Sequence, residues 1–339
     1  MLSSKTVFVV GAGASKEANM PVGWELRDMI AAKLHMRFEP PFNRFIGTGD
    51  QKILHALTRA FKDSANPYFD ACAVINTGIG LSASIDDFIE LHRSDPAVAT
   101  CGKLAIAAAI LEKERRSKLY VDPSNRENTI RRADIENTWY ISFLQLVSNR
   151  VAKQELQTLF DNASIICFNY DRCIEQFLYY AIADQYAIKR EESRSIVGRL
   201  PIYRPYGSIG DCFGSVPFGA ENMPRVDDIE RNLRTYTEQV RDEESLNSMK
   251  KAIGEAEVLV FLGCAFHTSN MTLLEPHSYS EKRIFATREG ISQEDLQHVT
   301  TALNRLRTHR APHRDTDIYY SMKCSDLFRD HKLGLRAPT

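Results

Sequence analysis

Neither sign of charge prevails in this sequence: 43 Lys and Arg stand against 44 Asp and Glu, a formal charge of −1. That lack argues against a generally basic nucleic-acid binder or membrane-surface protein, leaves room only for local patches, and suits a small-molecule site. Long apolar runs are missing too. The longest uncharged one, Leu104 to Leu111, is too short to span a bilayer, and no basic region precedes the first apolar run, so a soluble, cytoplasmic protein is expected. Closely spaced cysteine pairs are also absent. The seven cysteines at 72, 101, 167, 173, 212, 264 and 324 are dispersed, which excludes a structural zinc site, suggests reduced thiols and leaves no metal to expect. Internal repeats and low-complexity segments do not occur. What remains is 339 residues, 43% hydrophobic, enough for one large domain or two smaller ones around a sizeable core.

The most informative stretch lies near the start. Val7-Phe8-Val9-Val10 feeds directly into Gly11-Ala12-Gly13-Ala14-Ser15 and then a helix-compatible segment. A strand delivering a tight turn to a helix N-terminus gathers unpaired N–H groups and the positive end of the helix dipole, and small residues let an anion approach. A nucleotide diphosphate fits such a turn. A strand–helix junction that simply needs small residues gives the same pattern. The dinucleotide fingerprint also wants a third Gly where Lys16 stands, so the turn names nucleotides without naming one.

Along the chain, a helix is expected over Glu25 to Lys33. A further helix start is expected at Ser84, whose N-cap is followed by acids in Asp86 and Asp87. The alanine-rich stretch from Ala97 to Lys118 predicts a helix whose polar end leaves the core for solvent, and another helical pattern runs from about Ile130 to Phe160. About 150 residues with almost no strand signal separate the first strand from the second, at Ser164 to Phe168, too many for one crossover helix. Residues 31–160 therefore read as a helical module inserted into a sheet domain formed by 1–30 and 161–339. In the second half IICF, VLVFLG, RIFA and DIYYSM alternate with helical patterns. This predicts an α/β fold with a Rossmann-like, doubly wound parallel sheet, whose ligands sit beyond the strand C-terminal ends.

GAGASKEANMPVGWEL (Gly11 to Leu26), FNYDRCIE (Phe168 to Glu175) and VLVFLGCAF (Val258 to Phe266) occur in the order found in sirtuin-like NAD-binding domains. The chain resembles in particular the branch of that family found in bacterial anti-phage defence, whose members consume NAD, and Ser84 to Phe88 is similar to that branch's SIDDF-type element. The resemblance implies a cofactor-binding set of Gly11, Ala12, Gly13, Ala14, Ser15, Pro21, Asp171, Gly207, Ser208, Gly263, Cys264 and Ala265. It implies Asn169 as a catalytic residue lining the nicotinamide–ribose pocket, with Asp171 accepting from the carboxamide; read from position alone, the two polar residues after a buried strand equally cap the next helix. Where the family carries a His as principal base, this chain has Tyr206, the second catalytic candidate. A phenol with a pKa of about 10 serves poorly as a base at neutral pH, but it can orient a water or a ribose hydroxyl; a buried Tyr packing beside Gly207 is the plain alternative.

His267, just after GCAF, is a substitute base or an ordinary loop residue, and Glu175 a structural one. Trp24 is expected to anchor the core. The basic run Arg305 to Asp315 reads as a solvated loop or a contact for an acidic partner, nucleic acid entering at most indirectly. The resemblance implies hydrolysis of NAD to nicotinamide and ADP-ribose by a defence effector controlled through self-assembly into a homo-oligomer or by a separately encoded partner, with no membrane role. A non-catalytic NAD- or ADP-ribose-binding subunit is the alternative that Tyr206 favours. Deacylation is disfavoured by the missing zinc cysteines and by Phe168, which stands where the sirtuin pattern has Gln.

Overall fold

Six runs pair into one parallel sheet in the computed structural model, which describes residues 2–39, 44–235, 238, 243–307 and 318–337. They are β1 (Thr6–Val10), β2 (Ala163–Cys167), β3 (Ile202–Tyr203), β4 (Val258–Leu262), β5 (Arg283–Thr287) and β6 (Ile318–Ser321). The spatial order is β3, β2, β1, β4, β5, β6, and every neighbouring pair is parallel. This is the α/β, Rossmann-like arrangement that the alternation of apolar runs and helices predicts. β1 and β4 are buried along their whole length, which is why both read as unbroken apolar runs rather than alternating ones.

Side chains of β1 alternate between two cores. Phe8 and Val10 join the core shared with the helices of 31–160, whereas Val7 and Val9 face the helices Glu243–Glu255 and Gln293–Asn304. The 31–160 segment is mainly helical as expected, with one short hairpin pairing Phe38 with Phe45. No seam in the core divides it from the sheet: Phe143, on the helix Trp139–Val147, meets Phe8 edge-on at 5.0 Å. The predicted cap at Ser84 is present, its side chain accepting from Asp87 N at 3.0 Å.

Two expectations are corrected. The alanine-rich helix spans Pro96–Arg115, and its polar end reaches solvent only in part: Arg116 and Lys118 are exposed, but Glu114 is fully buried against Arg172. Trp24 is not a core anchor. It is 58% exposed on the first turn of the helix Gly23–Lys33, and Trp139 is the buried tryptophan, donating from Nε1 to Ala14 O at 3.0 Å. No helix among the described residues is long and apolar enough to cross a membrane. In the basic run, residues 308–317 lie outside the described residues, while Arg307 just before them is buried.

Lys282 is also buried. Its ammonium donates to Gly254 O, Ala256 O and Ser280 Oγ at 2.6 to 3.2 Å, with no carboxylate partner among the described residues, and burial pulls its pKa down to about 8. The folded state thus holds this proton less tightly than the unfolded chain. Stability is expected to rise as pH climbs from about 8 towards the unfolded value of 10.5, and Lys282→Met should remove that rise, as read from urea midpoints at about pH 7 and about pH 9.

Candidate functional site

The parallel register brings three motifs out of the sheet side by side. Val10 pairs with Cys167 on one side and Leu262 on the other, so Gly11, Phe168 and Gly263 leave the sheet at one level. Connections from β1 run first to β2 and β3, and the chain then crosses back to β4. The gap above β1 is therefore the switch point where ligands of such sheets bind.

Glycines there interlock. Gly263 has φ of +60°, and a Cβ on it would lie 2.0 Å from Ala14 N and 2.3 Å from Gly13 C. A Cβ on Gly11 would fall 2.6 Å from Gly263 O, and one on Gly13 2.9 Å from Gly263 Cα. Gly11 N donates to Leu262 O (2.9 Å), Gly13 N to Gly263 O and Ala14 N to Gly11 O (both 3.0 Å). The expected cradle of unpaired N–H groups is corrected accordingly: three of the turn's N–H groups are bonded within the protein, and its small residues serve the close approach of two backbones. Ala12 and Gly13 remain partly exposed at its rim, while Pro21 is buried beyond it.

Asn169 is clamped to this turn. Its Nδ2 donates to Gly11 O at 3.0 Å and to Ser15 Oγ at 2.9 Å, and Asn169 and Ser15 are both buried. Asp171 Oδ1 accepts from Cys173 N at 3.1 Å, at the start of the helix Cys173–Tyr186, whose N-cap residue is Arg172. Arg204 fixes both from behind, donating to Asn169 O at 2.8 Å and Asp171 O at 2.9 Å while pairing with both Glu175 oxygens at 2.8 Å. Glu175 is thus structural, as expected. Cys264 Sγ lies 3.4 Å from Val9 O, and burial pushes its thiol up to about 12, which leaves no nucleophilic thiolate.

Tyr206 faces the same end of the sheet. Its hydroxyl donates to Asn270 Oδ1 at 2.8 Å, and its ring lies 6.0 Å from Phe168 and 6.4 Å from Tyr170. The hydroxyl of Tyr170 in turn donates to Asp86 Oδ1. Burial raises the Asp86 pKa to about 6, with Asp87 adding to the rise and the Tyr170 hydrogen bond and His267 opposing it. His267 and Ala265 are exposed.

Gly207 and Ser208 lead elsewhere. Gly207, at φ +73°, bridges to Leu233, and Ser208 N donates to Asn232 O at 3.2 Å. Both line a groove of about 430 Å³ with Arg204, Glu175, Arg231 and Arg234, to which Gly11 and Asn169 do not contribute. The structure therefore gathers Gly11 to Ser15, Asn169, Asp171, Tyr206 and Gly263 to Ala265 at one end of the sheet, while Gly207 and Ser208 line a groove shared with Arg204 and Glu175, which support Asn169 and Asp171. Nothing in the sequence marked Asp86, Tyr170, Arg204 and Asn270 as site residues, although Tyr170 lies inside a motif stretch, Arg204 two residues before Tyr206 and Asp86 two residues after the cap Ser84. Among the described residues no three His, Cys, Asp or Glu side chains cluster as metal ligands. No protein-family model matches the chain, and no curated protein matches it significantly.

Proposed function

We propose that this chain is a sirtuin-like NAD hydrolase that releases nicotinamide and ADP-ribose. The observation that carries the reading is Asn169, the residue after β2 that the resemblance assigns to the ribosyl pocket, hydrogen-bonded to the glycine turn after β1 at the switch point. Both amide hydrogens are used by the turn, so its Oδ1 is the atom left to meet a water or ribose hydroxyl. The chemistry asks little of the protein. Nicotinamide departs as a neutral molecule from a cationic centre, and a ribosyl oxocarbenium is captured by a positioned water, as in glycoside hydrolysis. Partly exposed Ala12 and Gly13 leave the rim of the turn open to a ligand. A hydrolase that empties the NAD pool fits the anti-phage role that the resemblance implies, with activity held off until assembly or a partner releases it.

Asn169→Ala is expected to lower nicotinamide release by at least about 100-fold. The assay compares the purified chain and the chain copurified with its natural partners; unchanged release in the variant would remove Asn169 from the site. The second reading, a subunit that binds NAD or ADP-ribose without turnover, is favoured by one contact: Tyr206 donates to Asn270, an amide that cannot take its proton. NAD binding with no release in either preparation would select it.

A further inference from the structure

Tyr206 leaves the site without a base. Its hydroxyl donates to the Asn270 amide oxygen, and a phenol that keeps its proton is no base for water. A carboxylate nearby can serve instead. Asp86, carried by the first turn of the helix Ile85–Leu91, accepts from Tyr170 Oη, whose ring lies against that of Tyr206 and whose backbone follows Asn169 directly. The bond from Tyr170 uses Oδ1; the carboxylate also accepts from its own backbone N–H, and no side chain among the described residues donates to Oδ2.

Resting on the hydrolase reading, we infer that Asp86 is the catalytic base of the site, taking the proton of the attacking water on Oδ2, with Tyr170 as its positioning residue. In the step, the C1′–N bond breaks and its electron pair leaves with nicotinamide. Water oxygen forms the new C1′–O bond. The water's proton passes to Asp86 and then to solvent, so one NAD and one water give nicotinamide, ADP-ribose and a proton. The charged groups bearing on the carboxylate are Asp87 on its own helix, Tyr170 after β2 and His267 after β4, with Tyr206 beside Tyr170. Together with burial they set its pKa at about 6, low enough for a carboxylate at neutral pH and high enough to hold a proton. The sequence of the insert thereby supplies chemistry to a sheet domain whose own motifs lack it.

The test is nicotinamide release against pH, from about pH 5 to about pH 9, with NAD affinity measured alongside, for wild type, Asp86→Asn, Asp86→Glu and Tyr170→Phe, in whichever preparation releases most. Wild-type kcat is expected to rise through an inflection near 6 to a plateau. Asp86→Asn should lower the plateau by about 100-fold or more and erase the inflection, with NAD affinity within about threefold. Asp86→Glu should keep an inflection, and Tyr170→Phe should move it to higher pH, because the phenol's hydrogen bond holds the Asp86 pKa down. An Asp86→Asn enzyme with wild-type kcat and inflection overturns the inference while the hydrolase reading stands. Wild type that releases no nicotinamide at any pH in any preparation overturns both.

Discussion

Gly263→Ala is expected to destabilise the protein by about 3–5 kcal/mol and, on the proposed function, to abolish NAD binding, because two penalties add at one residue. The first is conformational: φ of +60° lies in the left-handed region, where an L side chain strains the backbone. The second is steric. The new Cβ would lie 2.0 Å from Ala14 N and 2.3 Å from Gly13 C, main-chain atoms that no rotamer change can move aside. The turn must separate from β4, losing the Gly13 N to Gly263 O bond and the surface on which Asn169 is seated. Gly290 isolates the first penalty from the second. It has φ of +81°, and a Cβ added there would meet nothing within 4 Å, so Gly290→Ala should cost only about 1–2 kcal/mol. Urea midpoints of the two variants measure the difference. Equal losses would mean that the interlock adds nothing to the strain.

How much of this arrangement was legible follows from the range over which each feature is encoded. β1 and β4 are consecutive buried residues, and β2 and β5 are so but for Ser164 and Arg283, so their own composition marks them, and the turn residues after β1 are equally local. β3 has two residues, too few to show a pattern. Long-range features were illegible for a physical reason: the partner that changes a residue's environment lies far away in the chain. Ser84 announces a helix through its own next turn, whereas Asp86 becomes part of a site only because Tyr170, 84 residues later, reaches it. Trp24 and Trp139 make the same point. Each is apolar enough for a core, and only the docking of the Trp139–Val147 helix over β1 decides which one is buried. The family resemblance pointed to Asn169 and Tyr206 as candidates, but the bond from Tyr206 to Asn270 depends on a helix that no motif includes.

Glu114 and Arg172 are the largest instance of such long-range compensation, and Arg172→Met is expected to cost about 3–5 kcal/mol. Both side chains are at most 1% exposed. Arg172 reaches Glu114 through Nε at 3.0 Å and through Nη2, and it also donates to the carbonyls of Gly210, Val216 and Pro217; Gly219 N donates to Glu114 at 2.9 Å. Removing the guanidinium leaves a carboxylate without its counter-charge in the core and three carbonyls without a donor. Burial pushes Glu114 up and Arg172, with the Gly219 N–H, pulls it back, so in the variant only backbone N–H groups oppose the upward push. A raised folded pKa gives stability at low pH that is lost as pH rises through it, and the deficit should therefore be smaller at about pH 5 than at about pH 7.5. Adding Glu114→Gln should recover part of the loss, since a neutral amide can still accept from Gly219 N. A single Arg172→Met deficit that is the same at both pH values would mean that Glu114 is not the charge left behind. Because Arg172 follows Asp171 directly and its guanidinium holds the carbonyls of Gly210, Val216 and Pro217, the same variant should loosen the chain after Tyr206 and, on the hydrolase reading, lower nicotinamide release together with stability.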